Sequence, residues 1–254
     1  MISRLGTSIC VAVVVVLVLS SAGVAQDRPV PRLSNGKPDL SGFWNTVHVV
    51  DITRDYNVCG TAGQPGCKME GVKDLESLYT PYAREQNKKH KFDYAGQCKP
   101  FGYVRSWGGI MPVQLVHSSD SLAILFEQNN WWHLVPTDGR SQPKDPEPTW
   151  MGHSVGKWEG DTLVIDTVGF NGEAWLDPSN GFLGRIESDA MHTVERLSRP
   201  DFNTIQYELT IDDPKVYTKP FKNKRTFKLM KPGLEIQEYT CTPIEVYDPP
   251  AEKK

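Results

Sequence analysis

A chain of 254 residues with 28 Lys and Arg against 31 Asp and Glu carries a formal charge of −3 at pH 7. That near balance removes the electrostatic reason to expect nucleic acid or an anionic membrane as partner. The 19 prolines and 21 glycines, spread along the chain, point to a fold with many turns rather than to long helices.

Arg4 precedes an apolar run from Ile9 to Leu19, and the small residues Ser20 to Ala25 follow before Gln26-Asp27-Arg28. This is the layout of a secretory signal peptide over 1–25, with cleavage expected after Ala25 and an exported, periplasmic or secreted product. The run is shorter than the ~20 residues of a spanning helix, so no membrane span is expected in the mature protein. Cys10 lies inside the run and is not read as a lipid-attachment site.

Residues 26–39 are a Pro/Gly/polar linker, and a single β domain is expected over 40–246, followed by a disordered tail at 247–254. The first strand starts at Leu40-Ser41-Gly42-Phe43-Trp44, and 51–76 reads as loop. Thr80 as N-cap, with Pro81 in the first turn, predicts a helix to about Lys91, within an irregular region that gives 77–92 its helical character. The basic run Lys88-Lys89-His90-Lys91 is read as a solvated helix end.

From Ile110 onward the pattern changes to short strands separated by turns: Val113–Val116, Leu122–Glu127, Trp131–Val135, Ser154–Trp158 and Asp161–Thr167. Met191–Ser198, Thr204–Ile211, Arg225–Leu229 and Glu235–Cys241 follow. Short turns leave no room for crossover helices, so the sheet is expected to be antiparallel. The fold class is therefore all-β with minor α, an up-and-down meander barrel of about nine or ten strands, since closure removes exposed edges.

Four cysteines follow the apolar leader, and three pairings are open to them. Cys59–Cys67 and Cys98–Cys241 are favoured, the first closing a Gly/Pro-rich loop and the second tying the irregular region to the last strand. Their chain-entropy values are about 2.5 and about 5 kcal/mol. No C-x-x-C or H-x-x-x-H spacing suggests a metal, and no P-loop, H-E-x-x-H or G-x-S-x-G is present, so neither metal nor cofactor is expected.

The G-x-W at Gly42–Trp44 resembles the opening of lipocalin-like (calycin) barrels. A longer set of words includes CKPFGYVR at Cys98–Arg105, WEGDTLV at Trp158–Val164, GFN at Gly169–Asn171, WLD at Trp175–Asp177, HTVER at His192–Arg196 and TIDDP at Thr210–Pro214. Together they resemble a family of uncharacterised exported bacterial proteins over about residues 39–241. The resemblance implies an exported β-barrel and brings no catalytic assignment.

Strand alternation supplies the site candidates. Along Met191–Leu197 one face carries Glu195 and the other His192 and Arg196. If the first face points inward, Glu195 is a buried carboxylate suited to acid/base work or to holding a polar ligand group. In the opposite register His192 and Arg196 face in. The competing reading is a structural ion pair between Glu195 and an arginine such as Arg105 or Arg140. Arg105, Arg140, His153, Asn171, Trp175 and Asp177 are ligand-binding candidates, with His153 also readable as structural and Trp175 as a plug for the barrel end. In Trp131-Trp132 one ring is expected inside and one outside.

Three functions stay open: a barrel that binds a small hydrophobic molecule, an enzyme (lyase, isomerase or hydrolase) using Glu195 or His192 as acid/base on a hydrophobic oxygenated substrate, or an envelope interaction protein with a filled barrel. Oligomeric state is left open as well.

Overall fold

The computed structural model describes residues 28–53, 74–89, 94–178 and 184–243. The expected signal peptide, the expected Cys59–Cys67 pairing and the expected 247–254 tail lie outside the described residues.

Alternating apolar and polar residues produce the strands expected. In chain order they are β1 (Gly42–Asn45), β2 (Val113–His117), β3 (Ser121–Phe126), β4 (Trp131–Pro136), β5 (His153–Glu159) and β6 (Thr162–Val168), followed by β7 (Trp175–Asp177), β8 (Arg185–Ile186), β9 (His192–Asp201), β10 (Thr204–Asp212) and β11 (Phe221–Leu229). Nine of these form one sheet in the order β4-β3-β2-β1-β11-β10-β9-β6-β5, while β7 and β8 pair as a separate ribbon. Every neighbouring pair in the large sheet is antiparallel, and β1 lies between β2 and β11 so that the first strand meets the last. The meander is thus an all-β barrel, nearly closed, with the 169–191 excursion inserted between β6 and β9.

The seam lies between β4 and β5, the two ends of the sheet. An odd number of strands, each antiparallel to the next, leaves the two ends of the sheet, β4 and β5, running in the same direction. No ladder joins them in the sheet. They meet through side chains, with His133 beside Ser154 and Val135 beside Gly156. Gly156 permits the approach: a Cβ there would lie 2.8 Å from Thr137 Cγ2 and 3.2 Å from Val135 Cγ1.

Aromatic side chains pack the centre of the barrel. Gly102, at φ +79°, turns the chain where a Cβ would lie 2.3 Å from that of Ala174, and starts α2 (Tyr103–Ser106). Tyr103 and Trp107 enter the core from this segment. The Trp107 ring lies 5.4 Å from Phe126, 5.3 Å from Tyr207 and 5.5 Å from Phe227, centre to centre. Such aromatic packing accounts for a large share of burial energy in a core of this size. α2 was not predicted from sequence, because a four-residue helix with a glycine cap has too little periodicity to register.

α1 (Pro81–Asn87) has the expected Thr80 cap, whose Oγ1 accepts from Ala83 N at 3.2 Å. It is shorter than expected: Lys89 N donates to Gln86 O, a tightened turn that ends it. Glu235–Cys241, expected as a strand, is not one. The segment makes no backbone ladder with the sheet. It is held instead by Gln237 N on Glu127 Oε2, by Tyr239 N on Asn130 Oδ1, and by the Cys98–Cys241 disulfide. Among the described residues no helix is long and apolar enough to cross a membrane.

Candidate functional site

The register of β9 places Glu195 inside and His192 outside. Glu195 is fully buried and accepts hydrogen bonds from Tyr103 Oη at 2.6 Å and Tyr207 Oη at 2.5 Å. Burial pushes its carboxyl up to about 7, while the two phenols and the Arg225 guanidinium oppose the shift. The cation of this cluster is Arg225, which lies over the Tyr207 ring and donates to Asn223; neither Arg105 nor Arg140 fills that role. The cluster ties β9, β10, β11 and α2 together in the packed centre of the barrel.

His192 and Glu195 therefore cannot act on one atom. His192 Nε2 lies 3.0 Å from Asp166 Oδ2, and the same carboxylate accepts from Gln142 Nε2 at 2.9 Å. Gln142 also donates to the Asp166 carbonyl at 2.6 Å. This chain on the outer face pins the β4–β5 connection against β5 and β6.

That pinned connection forms one wall of a cleft at the seam, with a volume of about 550 Å³. β4 supplies Trp131, Trp132, Leu134 and Pro136, the far side has Met151, His153 and Val155, and Arg140 and Pro143 stand on the rim. Trp131 packs against the core and Trp132 is exposed, one ring in and one out as expected. The deepest polar groups are His133 and Ser154, both nearly buried, with His133 Nε2 2.6 Å from Ser154 Oγ. Ser154 Oγ lies 2.6 Å from Thr167 Oγ1 as well. The other face of the imidazole meets Tyr103, 4.6 Å between ring centres, which links cleft and core. Burial lowers the His133 pKa to about 4, so the ring is neutral at ordinary pH.

Of the predicted ligand residues, Arg140 and His153 line this cleft. Arg140 is exposed and paired with Asp138, and His153 Nε2 is 2.7 Å from the Glu147 carbonyl, which steadies the cleft's outer edge. The remaining four lie elsewhere. Arg105 is buried in α2 with its guanidinium 4.6 Å from the centre of the Phe101 ring. Asn171 Oδ1 accepts from Glu173 N. Trp175 is buried against Gly184, and Asp177 bonds Ile52 N and Arg185. Arg185 also meets Asp51 and Glu76, so this end of the barrel is an ion cluster that holds the chain together.

Family models, curated proteins and solved structures yield no match to this chain.

The site therefore stands on its own geometry. A larger groove, about 760 Å³, lies near Phe43, Phe202, Leu229 and Met230, but its floor reaches no buried polar side chain. The seam cleft does. His133, Ser154 and Thr167 were not singled out as site residues, since they come from three strands and only the closure geometry unites them. The available signal was their parity: each is a polar residue on the inward face of its strand. Among the described residues no group of three or more His, Cys, Asp or Glu is placed to hold a metal ion.

Proposed function

We propose that this is an exported β-barrel that binds a small, largely apolar molecule in the cleft between β4 and β5. The observation that carries the reading is the union of apolar walls with a buried hydrogen-bonding floor. Specific pockets have that construction, apolar contact for affinity and a few fixed polar groups for orientation. The outer surface agrees with it. Val116, Ala123 and Leu134 are lateral neighbours on β2, β3 and β4, and Val116, Leu134 and Trp132 are exposed, so an apolar surface leads to the cleft. On the opposite wall Glu208 is flanked by Lys222 and Lys224. The apolar leader and the Cys98–Cys241 bond support export into an oxidising compartment.

The test is titration with an apolar fluorophore, read by energy transfer from tryptophan. Saturable binding that weakens at least tenfold in Met151→Glu supports the cleft. Binding that does not saturate, or that ignores the substitution, contradicts it. The packed centre around Trp107 favours a second reading, an envelope interaction protein whose exposed Trp132 and Leu134 meet another protein. On that reading the fluorophore does not saturate.

A further inference from the structure

We infer that the seam cleft hydrolyses apolar carboxylic esters, with Ser154 Oγ as nucleophile and His133 Nε2 as its base. The inference rests on the reading of the cleft as a small-molecule site and adds a reaction to it. Three observations carry it. The Oγ–Nε2 distance of 2.6 Å is that of an activated nucleophile and its base. Both side chains are nearly buried yet line a cleft large enough for a substrate. Thr167 Oγ1, 2.6 Å from Ser154 Oγ, fixes the hydroxyl from the other side. With Thr167 donating to Ser154, the serine proton points at the imidazole.

The sequence hides this pair because Ser154 sits on strand β5 and not on the sharp turn of an α/β-hydrolase. A nucleophile and its base are defined by geometry and role, and the two need not follow any order in the chain. Here the parallel meeting of β4 and β5 brings them side by side. Burial keeps His133 neutral above about pH 4, so its Nε2 is open to the serine proton, and the same burial makes it a weaker base than a free imidazole. Arg140 on the rim uses Nε and Nη2 on Asp138, and its Nη1 makes no protein hydrogen bond among the described residues. Arg140 lines the same cleft as Ser154.

The steps balance within the site. Ser154 Oγ bonds to the carbonyl carbon as its proton passes to His133 Nε2, and the carbonyl oxygen takes the negative charge. The carbon–oxygen bond to the alcohol breaks, the alcohol leaves with the proton from His133, and an acyl-serine remains. Water then adds to that carbon, its proton going through His133 to Ser154 Oγ as the acid is released. The ester's hydrocarbon part lies along Trp131, Leu134 and Met151.

The experiment uses the mature protein, an alkyl fluorophosphonate, a p-nitrophenyl alkanoate and the corresponding uncleavable ether. The expected result is a phosphonyl adduct mapped to the peptide carrying Ser154, formed as the Oγ–P bond replaces P–F, together with release of p-nitrophenolate. Ser154→Ala loses both and still binds the ether, and His133→Ala slows labelling by about 100-fold or more. Turnover rises with pH through about 4 and then levels, as the titration of His133 requires. Adduct mapping on the native protein decides the matter even if a variant fails to fold. Ether binding without adduct or release overturns the ester reaction and leaves the binding site standing. Absence of ether binding overturns both.

Discussion

The Glu195 cluster and the His133–Ser154 pair are built from similar parts and placed in opposite circumstances. Each is a set of polar side chains on inward-facing positions, linked by hydrogen bonds of about the same length. Glu195 lies in a wall where β9 has β6 on one side and β10 on the other, and Tyr103 and Trp107 close over it. His133 and Ser154 lie where two strands of like direction meet without a ladder. Position in the barrel, more than residue type, separates a group that stabilises the fold from one that can meet a ligand.

That comparison can be broken most severely in the core. Replacing Cys98 by Ser frees the segment leading into α2 and should cost about 5 kcal/mol on the chain-entropy model, seen as a lower melting temperature than that of the native protein. Glu195→Ala strands two phenols and a guanidinium in a dry interior and should cost about 3–5 kcal/mol in denaturant unfolding. Affinity at the cleft should change little at temperatures where the variant stays folded.

Glu195→Gln sharpens the same point through pH. In the folded protein Glu195 titrates near 7, against 4.5 when exposed, so between those values only the folded state keeps the proton. Stability from this group is fully present below pH 4.5 and falls as pH rises to about 7, by up to about 3 kcal/mol. Glu187 and Asp213, also raised by burial, act in the same direction. His117 and His133 act the other way: burial lowers both to about 4, so their contribution grows as pH rises from about 4 to 6.5. Removing Glu195 from this balance should make the variant gain on the native protein as pH rises from 4.5 to 7. A constant difference in melting temperature over that range would show that Glu195 does not titrate there.

At the seam the effects on stability are smaller and those on binding larger. Gly156→Val drives a side chain against Thr137 and Val135 and should cost about 1–3 kcal/mol while splaying β4 from β5. The affinity for an apolar probe should change by an order of magnitude or more. Trp132→Ala removes an exposed ring, so stability should stay within about 0.5 kcal/mol while probe affinity falls several-fold.

Much of the fold was legible because strand alternation is a local signal. Val113–Val116 and Thr204–Ile211 were recognisable as strands from their residues alone, and the structure extends each by one residue. The placement of Glu195 on one face and His192 on the other was legible too, although only the structure could decide which face was the inner one. The pairing of Cys98 with Cys241 was a choice among three that the structure bears out. The site was less legible. Arg140 and His153 stood out as residue types, but Trp175 and Asp177 stood out equally and are buried in the end cap. What makes His133 and Ser154 a pair is the meeting of β4 and β5, the two ends of the sheet, which no window of sequence contains. Glu235–Cys241 was misread because its residues suit a strand, whereas the segment is held by side-chain hydrogen bonds and the Cys98–Cys241 disulfide.

The most direct test of the central claim is photoaffinity labelling with an apolar diazirine probe, followed by peptide mapping. The seam account predicts labels on 131–136 and 149–155, competed away by unlabelled apolar ligand. Competable labels confined to core residues such as Tyr207 and Phe227, or to the groove near Phe43 and Leu229, would contradict it.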